Sequence, residues 1–420
     1  MNVVSLFSKE TVNNGRQPAI DLCKTVCIIL MLLCHVFYVI KFTNTPTLTP
    51  SFIAHNLVRL LGAQFFMFSM GLGLAYTRND TPKCCLRRGA ILLLSGYMLN
   101  FLREILPWML FGSYPMFSSI MSNDKFLMLL NGDILQFAGL AFLFFAFVKH
   151  FKMSNLTIFM LAIACTAVGA FCTNEISVNL SPDNFYFSFV GLFIPIKNFT
   201  TSGYVCFSFC NWILYPVTGW LFGKLLKRCN NPDKFYLYML CVSVPVLLLA
   251  WSGFDAAGKN MWMILMNPLV YHQQNPIILA VYMNIIAVAI SIAHLFSNYF
   301  VNSKLWGIVK HLSTELPTLY IASWVVIGWI GAWLKMNNKY LTKNLDNVFL
   351  LFVVVLLVSE AYIYIKNLLK NRKTKQTENI SKNDNLCYIE TARGVSAVGS
   401  ARHWQCRGQG FESPTLHKKK

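Results

Sequence analysis

Charged residues are scarce in this chain: they make up 13% of the 420 residues, whereas 55% are hydrophobic. A soluble domain usually has about 25% charged residues. The apolar residues also form blocks long enough to cross a bilayer, which takes about 20 residues each. This composition excludes an ordinary soluble domain. It predicts an all-α protein, a polytopic bundle of about ten transmembrane helices in a lipid bilayer.

Acidic residues are scarcer than basic ones, 17 against 36, which gives a net charge of +19. Part of the excess lies in residues 366–420, which hold 12 Lys or Arg and 4 Asp or Glu. Most of the rest lies in short loops, where basic residues set membrane orientation. Because no module of alternating aromatic and basic residues accompanies the charge, we expect no nucleic-acid partner.

Two further patterns are missing. No Cys/His spacing is typical of a metal site, so we expect no metal, and the scattered cysteines are interpreted as small apolar residues. The polar residues 1–18 have no apolar segment after a charged start, so they do not resemble a signal peptide.

The apolar blocks predict ten membrane spans, with a polar arm (1–15) before them. The spans are 20–41, 57–76, 87–106, 126–148, 155–172, 204–223, 235–251, 277–297, 316–334 and 347–366. The loops between them alternate between basic and nearly neutral, which predicts that both termini are cytoplasmic. We expect a multi-pass protein of a cell membrane, the bacterial cytoplasmic membrane. The sequence does not indicate the oligomeric state.

The transmembrane domain is expected to cover 16–370, followed by a disordered basic tail at 371–420. Within this tail, GQGFESP resembles the translated T-arm of a transfer-RNA gene, whose triplets TTC GAA TCC encode Phe411, Glu412 and Ser413. We therefore expect that the reading frame runs into such a gene, and we assign no function to His403 or Cys406.

The first span carries three ionisable residues on one face. Lys24 and His35 are eleven positions apart, which leaves them about 20° out of register, and Asp21 lies about 60° from Lys24. His35 is about 16 Å deeper along the axis than Lys24. Ionisable groups at such depth usually face a bundle interior or a water-filled cavity. Alternatively, Asp21 and Lys24 form an ion pair at the membrane edge and His35 only packs.

The same stretch carries a family resemblance. Arg16, Ile20, Asp21, Lys24 and His35 resemble the opening motif of the membrane-bound acyltransferase 3 family, in which an Arg or Lys precedes the first-helix His by eleven residues. The stretches FFMFSMGLGL (65–74) and RRGAILLLSGYMLN (87–100) resemble its second and third spans. The sequence departs from the second pattern at Met70.

Two later stretches extend the likeness to residues 16–330. NGDILQFAGLAFL (131–143) is similar to a helix of the related heparan-alpha-glucosaminide N-acetyltransferase-like proteins. HLSTELPTLYIASW (311–324) resembles a late helix of the family, although Ser323 stands where a His is common.

The resemblance implies an integral membrane acyltransferase. The donor would be cytoplasmic acyl-CoA, with acetyl-CoA expected, and the acceptor a hydroxyl or amine of a cell-surface or extracytoplasmic glycan. His35 would be catalytic, either as a general base or as a nucleophile that accepts the acyl group. Residue types alone leave both routes open.

Basic residues near the cytoplasmic end suit the phosphates of CoA. We assign this role to Lys24, Arg87 and Arg88, although Arg87 and Arg88 would also serve merely to orient the third span. Asp21 is expected to orient Lys24 or a backbone group.

Four further polar residues are candidates. Asp133 and Gln136 are three positions apart and would bind the acceptor, support His35, or only join helices. His55 and His272, in predicted outer loops, are expected to bind the acceptor.

Two other functions remain compatible with the sequence. A transporter or flippase would need no transfer chemistry, but it often contains inverted repeats, and no clear repeat relates the two halves of this chain. A membrane scaffold or sensor would leave the shared face of Asp21, Lys24 and His35 unexplained.

Overall fold

A computed structural model describes residues 6–37, 50–78, 80–113, 128–175, 185–195, 207–252, 265, 274, 276–337 and 345–395. Within these ranges the chain is helical almost throughout and contains no named β-strand. One isolated antiparallel bridge joins Phe7 to Cys229. The prediction of an all-α fold is confirmed.

The helices are numbered in chain order, and a short π-helical segment follows the third. They are α1 (Pro18–Phe37), α2 (Pro50–Tyr76), α3 (Pro82–Asn100), the π segment (Phe101–Ile105), α4 (Leu106–Phe111), α5 (Ile134–His150), α6 (Asn155–Glu175), α7 (Phe185–Phe193), α8 (Phe209–Trp212), α9 (Leu214–Lys227), α10 (Pro232–Ser252), α11 (Pro276–Val301), α12 (Trp306–Met336) and α13 (Leu345–Val395). Every predicted span overlaps at least one of them.

Seven helical segments in the described part of the chain are long and apolar enough to cross a membrane. Two more are shorter and apolar, namely Leu60–Tyr76 and Ile134–His150. The chain is therefore a polytopic helical membrane protein, as predicted. The placement of both termini in the cytoplasm stays a prediction.

The chain divides into two compact units, Met1–Ile363 and Tyr364–Lys420. The helix α13 continues to Val395, so a helix occupies part of the segment in which we expected disorder. Residues 396–420 lie outside the described residues, and the transfer-RNA origin of the tail stays a prediction. All helices that position the candidate site belong to the first unit.

Helix α1 lies at the centre of the first unit and packs against α2, α11 and α12. Its side chains Ile28 and Leu32 are almost completely buried. The helix α3 packs along α5, and α10 packs along α11. Because α1 and α12 are neighbours, residues deep on α1 meet residues in the middle of α12.

Helices α2 and α9 approach each other closely, because small residues allow the two backbones to touch. A Cβ atom added at Gly71 would lie 1.8 Å from the carbonyl oxygen of Pro216, and one at Gly219 would lie 1.9 Å from that of Phe68. Membrane helices commonly use glycine in this way, since their packing depends on close van der Waals contact.

The π segment widens the last turn of the third span. The Leu106 amide donates to the carbonyl of Phe101, five residues earlier. The indole of Trp329 on α12 donates to the Leu102 carbonyl at 3.0 Å. Here Gly328 lets α12 approach, because a Cβ atom on it would lie 2.3 Å from the Arg103 carbonyl oxygen. The widened turn holds Arg103 and Glu104 in the interior, where both are buried.

Candidate active site

His35 lies near the end of α1 and is buried against two aromatic residues of α12. Its ring is tilted by 33° on Trp324 with the centroids 4.0 Å apart, and it meets the edge of Tyr320 at 5.9 Å. The His35 Nδ1 atom is buried and has no hydrogen-bond partner among the described residues. A buried polar atom in this state is free to bond a ligand or a water.

An ionic network surrounds Arg103 beside these rings. The guanidinium forms ion pairs with Glu104 at 3.1 Å and Asp133 at 2.9 Å. It also donates to the Asn100 side chain at 3.0 Å. Its central carbon lies 4.8 Å from the ring centroid of Trp324, in cation–π geometry. The same indole therefore contacts both His35 and Arg103.

Asp133 connects the start of α5 to this network. One carboxylate oxygen accepts from the Ile134 amide at 2.7 Å. The other accepts from Arg103 and from the Tyr320 hydroxyl, each at 2.9 Å. Gln136 completes a capping box, because its side-chain oxygen accepts from the Asp133 amide. Asp133 thus fixes both the helix start and the phenol that touches His35.

Glu104 gives the site a second buried carboxylate. One of its oxygens accepts from Arg103, while Oε2 has no hydrogen-bond partner among the described residues. One guanidinium therefore faces two carboxylates in a buried environment, where charge–charge interactions are much stronger than in water.

A separate polar cluster joins the other ends of α1 and α12. Asp21 forms an ion pair with Arg16 and accepts a hydrogen bond from the Ser313 hydroxyl. Arg16 also donates to Ser313 and to Thr314. Asp21 does not pair with Lys24, as one alternative proposed; its carboxylate is directed toward α12 instead.

The predicted CoA-binding residues lie within the first two turns of α1 and α3. Lys24 is half-buried and forms no ion pair or hydrogen bond within the described part of the chain. Arg87 and Arg88 are exposed in the first turns of α3, and Arg88 donates to the Thr77 hydroxyl at 3.4 Å.

Further basic side chains gather around the end of α2. Lys149 pairs with Asp80. Lys227 lies 5.1 Å from the ring centroid of Tyr76, and Lys224 donates to Asn155 at 2.8 Å. Together with Arg88, they form a basic surface at one end of the bundle.

His55 was predicted to lie in an outer loop, but α2 begins at Pro50 and includes it. The side chain of His55 lies outside the described residues, as does the whole of His272. Of the predicted site residues, the structure brings His35, Asp133 and Gln136 into one region. Their roles stay predictions.

Sequence reasoning missed Arg103, Glu104, Tyr320 and Trp324. The Arg–Glu pair near the end of an apolar span was a usable signal, because charged residues there are costly and commonly functional. The stretch 311–324 contains Tyr320 and Trp324, but the family pattern singled out Ser323. The Ser323 hydroxyl is buried and donates to the Tyr320 carbonyl of its own helix at 2.9 Å.

Fold and site together define a polytopic membrane protein with a buried histidine beside an ionic network. Within the described ranges, no cluster of three or more His, Cys, Asp or Glu residues is suited to hold a metal ion. Residues 16–253 match the family described as heparan-alpha-glucosaminide N-acetyltransferase, catalytic. The match covers more than half of the chain, so the chain belongs to this family of membrane acetyltransferases, and the family resemblance is confirmed. No curated protein gives a match.

The matched segment contains His35, Arg103 and Asp133, whereas α12 with Tyr320 and Trp324 follows it. The site described above is therefore built from the family domain together with one helix beyond it.

Proposed function

We propose that the protein transfers an acyl group, acetyl by expectation, from cytoplasmic acyl-CoA to a hydroxyl or amine of an extracytoplasmic glycan. The observation that carries this proposal is the buried His35, whose Nδ1 atom lacks a hydrogen-bond partner among the described residues and whose ring packs beside the Arg103 network. Family membership supports acetyl transfer, and the family in general uses acetyl-CoA as donor.

His35 suits two routes. As a general base, it removes the proton from the acceptor while the acceptor attacks the thioester carbonyl, and the departing CoA sulfur then takes that proton. As a nucleophile, it forms an acyl-imidazole as the thioester carbon–sulfur bond breaks, and the acceptor displaces the imidazole in a second step. In both routes one acyl group moves and one CoA thiol is released.

The network around Arg103 suits a supporting role. Asp133 holds Arg103 and the Tyr320 hydroxyl, and Tyr320 and Trp324 confine the His35 ring. A buried guanidinium near the reacting carbonyl would stabilise the negative charge that develops on the thioester oxygen. We assign Arg103 this role, with Asp133 and Tyr320 as positioning residues.

The basic residues at the helix ends suit the donor headgroup. We propose that Lys24, Arg87 and Arg88 bind the CoA phosphates at the cytoplasmic side, with the pantetheine arm extending toward His35. The acceptor would approach from the opposite side, where His55 and His272 are proposed to contact it.

The decisive experiment measures CoA release from acetyl-CoA by the purified full-length protein, with amino sugars and cell-wall oligosaccharides as acceptors. We expect His35→Ala to lower turnover by about 10²- to 10⁴-fold, the usual contribution of a positioned acid–base group. Acetyl-CoA binding should persist. The matched control is His150→Ala, which removes an exposed histidine at the end of α5.

Full turnover by His35→Ala would exclude His35 as base or nucleophile. If the unaltered protein does not bind acyl-CoA, the proposed transfer itself is wrong, and transport of a glycan or lipid becomes the function to assay.

A further inference from the structure

An apolar groove opens on the side of the bundle between α1, α12 and α13. Its volume is about 560 Å³. Four residues form its two ends: Gly307, His311 and Glu360 at one, Leu319 at the other. The remaining lining side chains are aliphatic or aromatic, namely Ile28, Ile29, Leu32, Ile308, Leu312, Phe352 and Leu356.

His311 and Glu360 form a polar pair at one end of this groove, and the other end is apolar. His311 Nε2 lies 2.8 Å from Glu360 Oε2, and the two side chains are 43% and 31% exposed. Lys310 adjoins His311, and Lys366 follows Glu360 by six residues, so this end lies at the predicted cytoplasmic membrane surface. From Glu360 to Phe352 the groove follows α13 for eight residues, about 12 Å into the membrane.

The deep end adjoins the candidate active site. Leu32 and Leu319 form its buried floor, and His35 and Tyr320 follow them on the same two helices. The α1–α12 contact that places the His35 ring against Trp324 therefore lies next to the deep end of the groove.

We propose that the groove binds one hydrocarbon chain of a phospholipid from the cytoplasmic leaflet, with the headgroup beside His311 and Glu360. Apolar walls offer nothing to a sugar or to a pantetheine amide. Glu360 lies beside His311, and Lys310 directly precedes His311, so this end offers a carboxylate together with basic groups, which suits a zwitterionic headgroup, with its ammonium and its phosphate, better than a nucleotide with several phosphates. The lipid site is independent of the proposed acyl transfer.

Such a lipid is held by packing and by its headgroup. Hydrocarbon gains no hydrophobic free energy on moving from the bilayer into a protein groove, so van der Waals fit and hydrogen bonds must hold it. Occupancy is therefore best measured by comparing the groove with other lipid-facing surfaces of the same protein.

Gly307 offers a clean way to block the groove. Gly307 lines the groove and a Cβ atom added there would meet nothing within 4 Å, so Gly307→Leu adds bulk to the groove wall without a backbone clash. Gly73 is equally open and lies on α2, away from the groove, which makes Gly73→Leu the matched control. Ile308→Trp, at an exposed position of the groove rim, is the second blocking variant.

The test reconstitutes the full-length protein in vesicles containing phosphatidylcholine with a diazirine in one acyl chain. After illumination, labelled peptides are quantified by mass spectrometry. We expect labelling of the groove segments 28–32, 308–319 and 352–356 to exceed that of the exposed faces of α10 and α11. Gly307→Leu and Ile308→Trp should each lower it about tenfold, equivalent to roughly 1.4 kcal/mol, and Gly73→Leu should leave it unchanged.

Two results would overturn the lipid site. The first is that the groove segments are labelled no more strongly than other lipid-facing helices, or that neither blocking variant lowers their labelling. The second is displacement of the label by palmitoyl-CoA at concentrations at which free palmitate has no effect, which would assign the groove to the donor. Neither result depends on turnover, so the lipid site and the proposed acyl transfer fail separately.

Discussion

Arg103 joins several buried polar side chains of the candidate site. It is 4% exposed, bonds Glu104, Asp133 and Asn100, and lies over Trp324. A buried cation of this kind adds little net stability, but removing it leaves buried carboxylates without their counter-charge. The cost of its loss should therefore be large.

We expect Arg103→Met to destabilise the protein by about 3–5 kcal/mol, the usual effect of breaking a buried ion pair from one side. Thermal unfolding in detergent measures the change. Arg87→Met is the control, because Arg87 is exposed on α3. Equal unfolding temperatures for the two variants would show that the buried network does not stabilise the fold.

The variant Tyr320→Phe tests the contribution of the phenol hydroxyl alone, because it removes the hydroxyl and keeps the ring. The ring remains against His35, but the 2.9 Å bond to Asp133 is lost. We expect a stability loss of about 1 kcal/mol from this hydrogen bond. If the hydroxyl positions the site, turnover should fall while the KM for acetyl-CoA stays constant. Steady-state kinetics beside Tyr299→Phe, an exposed tyrosine on α11, provides the check. A change in KM alone would assign Tyr320 to donor binding.

At the scale of helices, α1 and α12 are joined at two levels. Asp21 meets Ser313 at one end, and His35 meets Tyr320 and Trp324 at the other. Between these levels Pro317 lies within α12, where it lacks the amide that would bond the Ser313 carbonyl. Ser313, which donates to Asp21, is thus also the residue of α12 whose carbonyl lacks its usual helical hydrogen bond.

The contact between α2 and α9 should not tolerate a methyl group. Gly71→Ala places a Cβ atom against the Pro216 carbonyl, so the helices must separate. We expect the unfolding temperature in detergent to fall. Gly73→Ala, two residues along the same helix, meets nothing within 4 Å and should be neutral or stabilising by up to about 1 kcal/mol. Similar behaviour of the two variants would contradict the close approach of these helices.

For the whole molecule, we expect the segment after residue 375 to be dispensable. The candidate site and its packing lie within Met1–Ile363, which forms a compact unit. A chain ending at 375 should therefore keep its unfolding temperature, acetyl-CoA binding and turnover. A loss of binding on truncation would show that the basic tail takes part in holding the donor.

The helical fold was predictable because a bilayer permits few alternatives. Apolar blocks of about 20 residues must form helices when no water is present to bond the backbone. The ends of the helices were harder to predict. Helix α5 begins at Ile134, eight residues later than the predicted span, because Asp133 and Gln136 form a cap there. A capping box was visible in the sequence as D-I-L-Q but was interpreted as a polar face.

The candidate site was predictable only in part. His35 stood out because a histidine deep in the first span is costly, whereas its partners come from helices distant in sequence. His35 and Tyr320 are far apart in the sequence, so no local pattern predicts their contact. Arg103 reaches the interior through a π turn, which the sequence did not indicate. Asp21 was expected to orient Lys24, yet its partners include Ser313 on another helix, which only tertiary packing decides.

The π segment has a consequence for deletions. A π turn holds one residue more than an α turn, so a single residue can be removed there without shifting the helix on either side. Deleting Leu102 would let α3 continue smoothly into α4, with Asn100 and Pro107 still in place. The widened turn that holds Arg103 and Glu104 would disappear. Such a chain should still insert into the membrane but lack the Arg103–Asp133 pair and unfold at a lower temperature, as expected for Arg103→Met, which would separate the requirements of membrane insertion from those of the buried site.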